Sequence, residues 1–139
     1  VTNLSTSTAK AGAQLFQTTF APISRHTLAL YSGGSGDHNP IHVDIDFAKA
    51  SGYPDVFVFG MLVMGYLGRA LTDAVPAKDL RSYSVRFVSI TQVRAEITCE
   101  GTIAEVFEEN GERLARLSLL AKDEANDVKL RGEAVVKLH

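Results

Sequence analysis

The sequence predicts an α+β fold in which helices come early and antiparallel strands come late. Gly60 to Asp73 reads as a buried helix, because it is apolar nearly all round. Beyond Lys78 apolar and polar side chains alternate, as in half-buried strands. Glu109-Asn110-Gly111-Glu112 then has the composition of a tight hairpin turn.

Composition is that of a globular chain: 139 residues, 45% hydrophobic and 22% charged. Fourteen basic and sixteen acidic residues give a formal charge of -2, so the basic stripe that a nucleic acid partner needs is missing. The lone cysteine, Cys99, cannot close an internal disulfide and points to a reducing cytoplasm. The longest apolar stretch, Val56 to Leu67, contains Gly60 and Gly65 and falls short of the ~20 residues that span a bilayer. Residues 1–11 have no apolar run of signal-peptide length, so neither secretion nor membrane anchoring is expected. No repeat or linker-like shift follows residue 12. The expectation is a loosely held segment over 1–12 and a single domain over 13–139.

In chain order, Gln17 to Ala21 suits a short strand, and Ser24 offers an N-cap for a helix through about Tyr31, which Gly33-Gly34 should stop. Gly34 to His42 is dense in turn formers, and Pro40 keeps Asn39 out of helical geometry. Asp44 can cap a short helix from Ile45 to Ser51, ended by Gly52 and Pro54. The buried helix of Gly60 to Asp73 follows, its glycines allowing a sheet to approach closely. Strands are predicted around Tyr83 to Val88, Val93 to Glu100, Thr102 to Phe107, Arg113 to Ala121 and Gly132 to Leu138. Periodicity and turn signals lead no further than an antiparallel sheet with one apolar face covered by a helix.

The loop Ser35-Gly36-Asp37-His38-Asn39-Pro40-Ile41-His42-Val43-Asp44 concentrates the chemistry. A carboxylate and an imidazole, here Asp37 and His42, form a competent acid-base pair, because burial and mutual charge readily move both towards neutrality. The Asn39-Pro40 turn can fold the backbone back between them. A plainer reading stays open, in which Asp37 caps a turn and His42 is a packed, hydrogen-bonded side chain. His38 and His42 lie four apart, but Pro40 denies them the helix that a zinc-binding pair requires, and no further histidine ligand is apparent. Gly33-Gly34-Ser35-Gly36 has neither the spacing nor the Lys-Ser/Thr of a phosphate-binding loop. Cys99 has no electropositive neighbour closer than Arg94 and reads as a packed thiol.

The same loop resembles the signature of MaoC-like dehydratases and R-specific enoyl-CoA hydratases. The likeness rests on the Asp, the Asn-Pro turn, a His five residues after the Asp, a further Asp two beyond, and Gly60-Met61-Leu62 downstream. The closing Gly132-Glu133-Ala134-Val135-Val136-Lys137-Leu138 is also similar to the family's last strand. The resemblance implies a hot-dog fold, a curved antiparallel sheet wrapped around a long helix, usually as a homodimer joined edge to edge. It implies that Asp37 and His42 are catalytic, that Asn39 and Asp44 support the loop, and that the Gly60 backbone N–H polarises the thioester carbonyl. The reaction implied is syn hydration of a trans-2-enoyl-CoA, or an acyl-carrier-protein thioester, to the (R)-3-hydroxyacyl form, without metal or cofactor. Such chemistry belongs to fatty-acid or polyhydroxyalkanoate-type metabolism. A non-catalytic thioester-binding subunit or a hot-dog thioesterase are the alternatives. One departure stands out: Phe59 precedes Gly60 where the family commonly has His, which puts the acyl pocket and the start of the helix in question.

Overall fold

Alternating side chains and apolar helical stripes sort the described residues into one antiparallel sheet and three α-helices. A computed structural model of the protein describes residues 4–139. In chain order the elements are β1 (Gln14–Thr19), α1 (Arg25–Ser35), α2 (Ile45–Ala50), α3 (Gly60–Ala74), β2 (Leu80–Phe87), β3 (Thr98–Glu109), β4 (Glu112–Lys122) and β5 (Val128–Lys137). The strands pair in the order β1-β3-β4-β5-β2, antiparallel throughout. β1 and β2 are therefore the two edges.

The helix α3 lies against all five strands. Its Leu62, Val63, Leu67, Ala70 and Leu71 are buried, at the spacing that puts them on one stripe. The facing residues come from alternate sheet positions, including Cys99 and Ile103 of β3, Leu117 and Leu119 of β4, and Ala134 and Val136 of β5. The apolar stripe of α3 and the inner face of the sheet form one contiguous core.

Several expectations need correction. α1 runs through Gly33 and Gly34 and stops only at Gly36, whose φ of 78° supplies the left-handed cap. The strands predicted over Val93 to Glu100 and Thr102 to Phe107 are replaced by an irregular Val93 to Ile97 and one continuous β3. Gly101 is no break: it sits inside β3 because the ring of Phe16 occupies the space a Cβ would take. The early turn lies instead at Arg94, with φ of 72°. β5 begins at Val128, earlier than the predicted Gly132, and β1 runs from Gln14, ahead of the predicted Gln17. The hairpin forms where expected, with positive φ at both Asn110 and Gly111.

Of the segment expected to be loosely held, residues 1–3 lie outside the described residues. Beyond them the segment is tied down, because Thr6 N–H donates to the His139 carbonyl and His139 N–H to that of Leu4, while Ala9 is buried in the core.

Candidate active site

The loop between α1 and α2 is held by its own short polar side chains. Ser32 Oγ donates to the Asp37 carbonyl at 2.8 Å, and Asp37 N–H donates to Ser35 Oγ. Asp37 Oδ1 accepts from Asn39 N–H at 3.2 Å. Asn39 Oδ1 in turn accepts from Ile41 N–H and caps a 3-10 turn over Pro40–His42, with proline in the first position, where its missing N–H costs nothing. Asp44 Oδ1 accepts from Phe47 N–H at the start of α2. Asn39 and Asp44 are thus both caps.

The 3-10 turn carries His42 inwards. Its imidazole is buried, with Nδ1 2.7 Å from the Phe57 carbonyl oxygen. A carbonyl only accepts, so Nδ1 bears the proton and Nε2 of the neutral ring is left with its lone pair. The ring stacks on Phe59, centroids 3.9 Å apart, and meets Phe57 edge-on at 5.0 Å. Phe59 is itself buried and packs against Tyr31 at 4.7 Å. The departure at Phe59 is therefore an aromatic platform under the imidazole.

Beside His42 a cavity of about 320 Å³ opens, walled by Phe57, Val58, Val63, Phe87, Leu130 and their neighbours. Gly60, the first residue of α3, is on its lining. No side chain caps that helix start, and the Gly60 N–H has no partner among the described residues. An uncapped helix N-terminus favours negative charge. His42 and Gly60 thus share one largely apolar cavity, suited to an acyl chain next to a polarised carbonyl.

Asp37 is placed differently. It is exposed, it makes no hydrogen bond to His42, and it is not on the cavity lining. Asn39 and Asp44 are likewise outside the lining. Sequence reasoning did not find the Phe57 carbonyl, since a backbone group leaves no residue-type signal. It also missed the wall from Phe87 to Thr91, and Lys129, whose signal was a charge set between apolar Val128 and Leu130.

Among the described residues no group of three or more His, Cys, Asp or Glu side chains is arranged to hold a metal. Burial pushes the Cys99 thiol up to about 12, with the neighbouring Glu100 charge adding to the effect, so this thiol is no nucleophile. Among the described residues no helix is long and apolar enough to cross a membrane.

The family model described as the MaoC like domain matches residues 7–118. Over 122 residues the chain is 33% identical to the fatty acid synthase subunit beta of Aspergillus oryzae, an alignment covering 78% of this chain and 5% of that protein. It is 28% identical over 113 residues to the (R)-specific enoyl-CoA hydratase of Aeromonas caviae, covering 80% of this chain and 83% of that one. The solved (R)-hydratase structure from A. caviae superimposes with a TM-score of 0.83 at 25% identity, over 95% of this chain and 98% of that one. The sheet wrapped around α3 is accordingly a hot-dog fold. With the model covering most of its length, the chain belongs to the MaoC-like dehydratase family.

Proposed function

We propose that residues 13–139 act as one hydratase domain that adds water reversibly to trans-2-enoyl thioesters, giving the (R)-3-hydroxyacyl product. The observation that carries this reading is the His42 imidazole, fixed through Nδ1 by the Phe57 carbonyl and lining the same apolar cavity as the unpaired Gly60 N–H. His42 Nε2 removes a proton from water as the oxygen bonds to C3. The electron pair displaced from the double bond moves towards the thioester oxygen, where the Gly60 N–H stabilises it. C2 then takes back the proton from His42 on the same face, and Asp37 orients the water. These steps use neither metal nor nucleotide.

The thioester is carried by CoA or by an acyl-carrier protein, and the reaction fits fatty-acid or polyhydroxyalkanoate-type metabolism in the cytoplasm. A homodimer is part of the proposal, because β2 is an unpartnered edge strand that ends in Phe87, 55% exposed, followed by Val88 at 52%. Sedimentation at micromolar concentration should show a dimer. A second reading, a thioester-binding subunit without activity, is favoured only by the exposure of Asp37.

The test is to follow loss of enoyl absorbance with crotonyl-CoA and longer trans-2-enoyl-CoA substrates while assaying free thiol. Hydration without thiol release is expected. Thiol release would mean a thioesterase, and neither signal would leave the binding-subunit reading.

A further inference from the structure

A buried ammonium that takes no part in the proposed chemistry belongs to a residue of the cavity lining itself, Lys129. Lys129 is 3% exposed and Leu130 beside it is also buried, where strict alternation would turn one of them outward. The cause is a break in register: Lys122 pairs with Val128 and Ala121 with Leu130, so Lys129 is the extra residue of a β-bulge. Such bulges re-aim side chains. Here the bulge directs Lys129 to three acceptors: the Ile90 carbonyl at 2.9 Å, Asp127 Oδ2 at 2.6 Å and Asp123 Oδ2 at 3.3 Å.

Those acceptors join two segments. Asp123 Oδ1 accepts from the N–H groups of Ala125 and Asp127 and so shapes the turn before β5. Asp127 Oδ2 also accepts from Ser89 Oγ, and Val88 N–H donates to the Lys129 carbonyl. Residues Phe87 to Thr91, all on the cavity lining, are therefore fastened to the turn through Lys129. Their far end is joined to the site, since the Thr91 carbonyl accepts from Val58 N–H, next to the Phe57 that orients His42.

We infer that Lys129 is a positioning residue that holds the Phe87 to Thr91 wall and thereby sets which acyl chains the cavity accepts. The second half of this inference rests on the hydratase reading. The first half does not, because the clasp exists whatever the cavity binds. A buried ammonium taken up by three acceptors, two on the turn and one on the wall, fits a part whose work is to fix neighbouring backbone.

Lys129→Met keeps most of the length of the side chain and removes the clasp. Asp127→Asn, at a carboxylate 59% exposed, weakens it without burying anything new and serves where Lys129→Met does not fold. In the full chain, amide exchange over residues 88–91 is expected to quicken about tenfold or more, while β3 and β4 keep their protection. The ratio of kcat/KM for longer enoyl-CoA over crotonyl-CoA should shift by about tenfold, mainly through KM. Unchanged exchange in both variants overturns the clasp, and faster exchange with an unchanged ratio overturns its role in selectivity. A wild-type protein that hydrates no enoyl thioester defeats the hydratase reading and the selectivity role with it, and exchange alone then decides the clasp.

Discussion

His42 Nδ1 and the Phe57 carbonyl oxygen lie 2.7 Å apart, and that single hydrogen bond decides which ring nitrogen is free for chemistry. The neutral imidazole should carry its proton on Nδ1. Nitrogen-15 NMR of the labelled protein at mildly alkaline pH is expected to show His42 as this tautomer. A protonated Nε2 in the neutral ring would remove it as the base.

Phe59 is both core and platform, stacked on His42 and 2% exposed. Phe59→Ala should cost about 3–5 kcal/mol of stability, measured by urea unfolding, as for large aromatic truncations in cores. Phe59→His should alter substrate preference more than the rate on the best substrate. A large gain in rate on every substrate would mean that Phe59 impairs the natural protein.

Gly60→Ala separates backbone from space. A Cβ there would come 2.9 Å from the Phe87 ring, which is 55% exposed and able to swing aside. Helix propensity favours alanine by about 1 kcal/mol, so the melting temperature should hold or rise. The N–H remains, but the displaced ring narrows the cavity, and KM should rise more than kcat falls. A collapse of kcat with KM unchanged would show that the helix start itself had moved.

The cap residues and the hairpin were legible because their signals are local. Ser24, Asp44 and Asn110-Gly111 act where they stand, through their own hydrogen bonds or dihedral angles. The continuity of β3 was not legible, since Gly101 looks like a break until Phe16 from β1 is seen against it. Gly33 and Gly34 are poor helix formers, yet α1 continues through them because Gly36 provides the cap. At the site, residue types pointed to His42 and the family resemblance to Gly60, whereas the Phe57 carbonyl and the Lys129 clasp depend on chain segments far apart in sequence. Asp37 was paired with His42 by spacing, and its exposure is a tertiary property that spacing does not contain.

Cys99 supplies a pH test with a definite sign. Folding keeps its thiol protonated up to about 12, against an ordinary 9.0, because burial disfavours the thiolate. The unfolded chain therefore holds fewer protons between those values. The contribution of this group to stability should be full below about pH 9 and fall as pH rises towards 12. Unfolding midpoints of the wild type and Cys99→Ala across this range should converge at the alkaline end. At pH 8 the native thiol should resist a disulfide exchange reagent until the chain unfolds, and rapid labelling of the native protein would contradict its burial.

The central claim is that Asp37 and His42 act on one water although only His42 lines the cavity. A double-mutant cycle in kcat/KM for crotonyl-CoA hydration, using Asp37→Asn, His42→Gln and their combination, tests it most directly. Each single substitution should lower the rate by about 100-fold to 10,000-fold with little change in melting temperature. The double variant should be scarcely slower than either, as for groups that work as a unit. Near-native turnover in either folded single variant, or fully additive losses, would contradict the account.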